Sequence, residues 1–209
     1  MQMSTVRLIR TRRREATCER LLDAARTVFA EKGYAAASIE DIAAAAGHTR
    51  GAFYSNFRSK TEMLFELLRR DHADAATALQ RITGTPAGSA ADAQRAMLAY
   101  WRGRAARHAS RLIWLDAQLQ AARDARFRAQ FDAFLRERQA LATACIDAFA
   151  ARTGVSLRLP AHVLAFGLTA LCDGVQPCCA AHARSGADTL ADAVLAGFLA
   201  HTLFDRDRG

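Results

Sequence analysis

Proline and glycine are scarce in this sequence of 209 residues, three and twelve respectively, so few positions can break a helix. Ala, Leu and Arg are abundant throughout, and an all-α protein is expected. Long apolar runs are missing too. The longest charge-free apolar stretch, Leu159 to Cys172, is shorter than the about 20 residues a helix needs to cross a bilayer, so no membrane partner is expected. Residues 1–14 have neither an apolar core nor a small-residue cleavage site, which argues against a secretory leader and for a cytoplasmic location. The five cysteines (Cys18, Cys145, Cys172, Cys178 and Cys179) are odd in number in a chain long enough to fold without cross-links, which argues against a disulfide framework. No G-x-S-x-G elbow, phosphate-binding glycine loop or H-E-x-x-H pair occurs, and the scattered Asp and His residues have no catalytic spacing. An enzyme is therefore not expected, nor is a cofactor.

Acidic residues are missing from the front of the chain. None precedes Glu15, whereas Arg7, Arg10, Arg12, Arg13 and Arg14 all do. Residues 1–60 hold eleven Lys and Arg against six Asp and Glu, a balance of +5, and the remaining 149 residues add only +3 to the total of +8. Residues 1–14 read as a flexible basic arm of the kind that lies along a phosphate backbone, with a solvated tail as the alternative.

Helical signals follow at once. Leu21, Leu22, Ala25, Val28 and Phe29 share one face of a helix from Glu15 to Lys32, which Gly33 stops. Ser38 caps a second helix with Glu40 and Asp41 in its first turn and Ile39, Ile42, Ala43 and Ala46 on one face, ending at Gly47. Thr49 caps a third, Arg50 to Phe57, in which Phe53 and Phe57 pair four residues apart. Two short helices about a glycine turn make a helix-turn-helix. Ser59, with Glu62 as capping-box partner, opens a longer helix that ends near Ile82. Residues 83–89 form the clearest loop. The expected organisation is an arm, residues 1–14, a three-helix DNA-binding domain, residues 15–60, and a helical bundle, residues 61–209, joined through the helix at 61–83.

Residues Ser38 to Leu64, S-I-E-D-I-A-A-A-A-G-H-T-R-G-A-F-Y-S-N-F-R-S-K-T-E-M-L, resemble the DNA-binding domain of the TetR family of bacterial transcriptional regulators. The pairs Ile42-Ala43, Ala46-Gly47 and Phe53-Tyr54, then Phe57 and Lys60, match the family pattern, as does Ala24 to Tyr34 at the end of the first helix. The resemblance implies a dimer that places two recognition helices in successive major grooves of a palindromic operator and leaves it when a small-molecule ligand binds. A helical DNA-binding protein without such a ligand is the alternative. The N-terminal residues of a recognition helix face base edges, which puts Thr49, Arg50, Gly51 and Ala52 nearest the DNA. Arg50, whose fork fits guanine O6 and N7, is the expected base reader, with a phosphate contact as the alternative. Tyr54 is a candidate phosphate donor and Asn56 a further candidate DNA contact, the resemblance adds a phosphate contact for the hydroxyls of the N-caps Ser38 and Thr49, and Lys60 with the start of its helix is a candidate anion site. His48 stands where the family is usually apolar, often valine, and is read as a DNA contact, with tolerated partial exposure as the alternative.

In the rear half, Trp101, His108, Trp114, Gln118, Phe131, Cys145, His162 and Phe166 are candidate lining for a ligand pocket, apolar with a few polar groups, and core packing is the alternative. The helices from Pro160 and Asp188 are apolar over wide arcs. Leu164, Leu168, Leu171 and Val175 on the first, with Leu190, Val194 and Phe198 on the second, are the expected dimer interface. Adjacent Cys178 and Cys179, with His182, suit buried small side chains better than a metal or thiol sensor, and no metal is expected.

Overall fold

The computed structural model describes residues 2–84, 90–105, 107–181 and 187–203. Among them are nine α-helices and no strand: α1 Gln2–Lys32, α2 Ile39–Ala45, α3 Arg50–Tyr54, α4 Lys60–Gly84, α5 Ala90–Ala105, α6 His108–Arg123, α7 Ala125–Thr153, α8 Ala161–Ala181 and α9 Ala187–Phe198, the last passing into a π-helical turn, Leu199–Leu203. The expected all-α class is what the chain adopts. Residues 85–89 of the expected loop, His182 and the side chains of Arg7, Arg10, Cys178 and Cys179 lie outside the described residues.

Two compact units divide the chain. The first is Met1–Asp71 with His108–Phe131, and the second is His72–Arg107 with Asp132–Gly209. This division differs from the expected boundary after residue 60, since α6 and the start of α7 fall in the same compact unit as α1 to α3. Polar bonds tie them in. The Arg26 guanidinium on α1 donates to Asp71 (2.8 and 3.1 Å) and to Ser110 Oγ (2.7 Å), and the Tyr34 N–H donates to Asp116 Oδ2 (2.6 Å). Aromatic packing does the same, with Phe127 5.0 Å from Phe65 and 6.0 Å from Tyr34 between ring centroids. Nothing in residue spacing alone signals partners more than eighty positions apart.

The core of the first unit follows the sequence pattern closely. Leu21, Leu22, Ala25, Val28 and Phe29 of α1, Ile42 and Ala43 of α2, Phe53 of α3, Phe57, and Met63, Leu64, Phe65, Leu67 and Leu68 of α4 are all buried, each large one contributing about 1.5–3 kcal/mol by leaving water. Gly33 and Gly47 end their helices at φ +78° and +67°, left-handed conformations that favour glycine. The basic stretch differs from its expected form, since residues 2–14 continue α1 as helix instead of forming a flexible arm. Arginine is a good helix former, so the absence of breakers through this stretch permits it.

In the second unit Ile146, Ala161, Leu164, Ala165 and Leu199 form a buried cluster with Met97, Leu98, Ala142, Leu157 and Leu168 against it. Ion pairs fasten its helices: Arg138 on α7 holds Asp173 on α8 through two bonds of 2.6 and 2.8 Å, and Arg102 on α5 reaches Asp192 on α9. Gly167 is close to α9, since a Cβ there would lie 3.1 Å from the Phe198 ring. No helix among the described residues is long and apolar enough to cross a membrane.

Candidate nucleic-acid interface

Two caps build the helix-turn-helix. Ser38 accepts from the Asp41 N–H while the Asp41 carboxylate accepts from the Ser38 N–H and hydroxyl, a reciprocal box that starts α2. The Lys32 ammonium joins at 2.7 Å, and these bonds hold the Asp41 carboxyl well below the usual carboxylate range. Thr49 accepts from the Ala52 N–H (3.2 Å) to start α3. Phe53 and Phe57, both buried with centroids 5.8 Å apart, anchor α3 from below. That burial fixes which side of the short helix faces outward.

The outward side carries Arg50 and Tyr54. Arg50 is exposed, and its Nη1 donates to Glu40 Oε1 at 2.6 Å while Nη2 donates to the Tyr54 hydroxyl at 3.3 Å, with the guanidinium carbon 5.5 Å from that ring's centre. Tyr54 and then Glu40 push the Arg50 pKa up, so the group is cationic at any working pH. Gly51 is exposed, and a Cβ there would meet only the Thr49 side chain, at an ordinary 3.6 Å. The fold itself therefore does not require glycine there. Thr49 is also exposed, and its hydroxyl proton remains available to an acceptor.

A groove of about 680 Å³ runs between α1 and α3, lined by Thr11, Arg13, Arg14, Thr17, Ala52, Ser55 and Asn56. The side chains of Arg13 and Arg14 have no hydrogen-bond or ion-pair partner among the described residues, and both are exposed. The helical continuation of the basic stretch thus brings two cations beside α3. Asn56, an expected DNA contact, donates from its side-chain amide to Ala52 O at 2.8 Å.

Three of the expected contacts turn toward the chain itself. Lys60 is drawn inward: its Nζ donates to Tyr34 O and Ala37 O, each at 2.6 Å, and lies 4.6 Å from the centre of the Tyr34 ring. Burial lowers its pKa. Lysine there gathers the carbonyls left at the turn between α1 and α2, which a spacing motif cannot distinguish from a phosphate contact. The Ser38 hydroxyl both accepts and donates within its box. The His48 Nε2 is buried without a hydrogen-bond partner among the described residues, while its backbone N–H donates to Ala43 O at 2.8 Å. Sequence reasoning passed over Glu40, which had been read only as a first-turn acid; its ten-residue separation from Arg50 has no pattern of its own.

The rear candidates divide between the two units. Trp114 and Phe131, 5.3 Å apart, belong to the interior of the first unit, and Trp101 and Cys145 to that of the second. His108, Gln118, His162 and Phe166 are exposed, Phe166 at 67%. Of the expected interface residues, Leu164 is 1% exposed within its own unit's core and Leu168 packs on that core. Leu171, Val175 and Phe198 are half-buried, whereas Leu190 and Val194 are exposed, as is Val163. Phe166 thus moves from the pocket list to the open apolar face of α8. Among the described residues no group of three His, Cys, Asp or Glu is placed to hold a metal ion.

Residues 21–67 match the family model described as bacterial regulatory proteins, tetR family. The HTH-type transcriptional repressor KstR2 of Mycobacterium tuberculosis is 32% identical over 139 residues, 54% of this chain and 70% of that protein. KstR2 of Rhodococcus jostii is 51% identical over 49 residues, 23% of this chain and 24% of that one. With it and two further curated relatives the match spans about a quarter of the relative's own length. In fold, the chain is similar to the transcriptional regulator FadR from Bacillus subtilis, solved in complex with stearoyl-CoA, at a TM-score of 0.72 and 16% identity over 87% of this chain and 97% of that one.

Proposed function

This chain belongs to the tetR family of bacterial regulatory proteins, and on that footing we propose that it is a cytoplasmic repressor that binds a palindromic operator as a homodimer and is released by a small molecule. It is a DNA-binding transcriptional regulator and not an enzyme. The observation that carries the finer reading is the outward pair Arg50 and Tyr54, held in place by buried Phe53 and Phe57. A guanidinium presented at the first turn of a short anchored helix suits the floor of a major groove. Exposed Gly51 and Thr49 let the backbone and a hydroxyl approach DNA. Arg13 and Arg14 flank the α1–α3 groove where a sugar-phosphate strand would run, and phosphate contacts of this kind supply most of the affinity.

Pairing of two chains is supported by the exposed apolar side chains of α8 and α9, Phe166 and Val163 on one and Leu190 and Val194 on the other. Such a patch is a surface that a two-fold partner covers. Release by a ligand draws on the family and on the stearoyl-CoA complex of FadR. The exposure of His108, Gln118, His162 and Phe166 favours the second reading, a dimeric DNA-binding protein that answers to no small molecule.

Selection of duplexes from a random library, followed by footprinting, tests the proposal. The expected result is an inverted repeat with half-site centres one helical turn apart, roughly 34–36 Å. A consensus without dyad symmetry contradicts it. Titrating a compound library against the protein–operator complex separates the two readings, since only the ligand-released repressor loses affinity.

A further inference from the structure

We propose that Glu40 sets DNA specificity by competing with DNA for the guanidinium of Arg50, an inference that rests on α3 being the recognition helix. The pair spans the helix-turn-helix. Glu40 is the second residue of α2 and Arg50 the first of α3, and their side chains meet at 2.6 Å. With Tyr54 taking Nη2, two of the nitrogens that would pair with a base already have partners. To reach DNA, Arg50 must give up Glu40.

The fold has little need of this carboxylate. Both side chains are well exposed, 62% for Arg50 and 58% for Glu40, and an ion pair in water adds little to stability. A first-turn acid favours a helix through its dipole, yet Asp41 already supplies that charge and closes the capping box. Glu40 adds a second negative charge at the face that meets a polyanion.

The exchange works out differently on different sequences. A backbone phosphate offers Arg50 a substitute for Glu40 but leaves the released carboxylate facing like charge. Guanine offers O6 and N7 together in the plane of the guanidinium, and a cytosine N4 amino group can donate to the released carboxylate. A G·C pair under this corner therefore compensates both side chains, and other sequences compensate one at most. Glu40 thus acts as a repulsive element that penalises the wrong DNA more than the right DNA.

Glu40→Gln keeps the shape and removes the charge. Wild type, Glu40→Gln, Arg50→Ala and the double variant are titrated by fluorescence anisotropy against the duplex that wild type selects and against a scrambled duplex. Glu40→Gln is expected to tighten the scrambled duplex about three- to tenfold and the selected one less, so that the ratio of the two affinities narrows. In the Arg50→Ala background the same change should leave the ratio where it was. An unchanged ratio in Glu40→Gln overturns the proposal, and so does equal narrowing without Arg50, which would mean plain phosphate repulsion. A variant that merely folds less well loses affinity on both duplexes alike, and its unchanged ratio counts against the proposal too. Wild type that binds no duplex overturns the regulator reading itself, a result distinct from either failure.

Discussion

The first unit turns its phenylalanine rings inward and Arg13, Arg14 and Arg50 outward, whereas the second leaves a ring and branched side chains of α8 and α9 in the open. Phe53, Phe57, Phe65 and Phe127 are buried while Arg13, Arg14 and Arg50 meet solvent; in the other unit Phe166 and Leu190 are each 67% exposed. An exposed guanidinium is well hydrated and waits for a polyanion whose counterions it can release. An exposed apolar side chain forgoes about 25 cal/mol for every Å² that a partner would cover. The two surfaces are thus suited to different partners, nucleic acid for one and a second copy of the chain for the other.

Substitutions that separate the two surfaces would sharpen this contrast or break it. The largest effect is expected from Phe53→Ala, which hollows the seat of α3 and should cost about 3–5 kcal/mol in urea unfolding. It should abolish DNA binding while sedimentation still reports a dimer. Phe166→Glu combined with Leu190→Glu comes next, weakening self-association a hundredfold or so if these are central contacts. The melting temperature of the isolated chain should hold, and a dimer that persists would place the interface elsewhere.

Lys60→Met should cost about 2 kcal/mol, since two turn carbonyls lose their donor. The slope of log affinity against log salt should match wild type; a fall of about one would restore Lys60 as a phosphate contact. Arg13→Ala with Arg14→Ala should flatten that slope by about two without altering the selected sequence. The smallest effect concerns acid stability. The two bonds from Arg70 lower the Glu19 pKa, so the stabilisation is present above the ordinary carboxylate pKa and is lost as pH falls through the lowered one. Glu19→Gln should lose about 0.5 kcal/mol at neutral pH, the range of a solvent-screened pair, and nothing in strong acid, giving a shallower acid limb.

Local signals in the sequence carried much of this architecture. Ser38, Thr49 and Ser59 cap the helices expected of them, Gly33 and Gly47 stop theirs, and α7 spans the expected Ala125–Thr153. Each of these depends on residues within one or two turns of each other. What spacing could not convey was which distant group a polar side chain meets. Lys60 looks the same in sequence whether it caps the carbonyls of Tyr34 and Ala37 or awaits a phosphate. The joining of α6 to the first unit rests on Arg26, Asp71, Ser110 and Asp116, charged or polar residues that read as ordinary surface. Among the aromatics, apolar character marked Trp114 and Phe166 alike, though one is interior and the other exposed, because a wide apolar arc does not say which part of it the chain itself covers.

Sedimentation velocity with labelled duplexes carrying either both half-sites of the selected sequence or only one is the most direct test of two surfaces acting together. Two chains should occupy the full site cooperatively, and the half-site should bind weakly and with strong salt sensitivity. A single chain held on either duplex with equal affinity would contradict it.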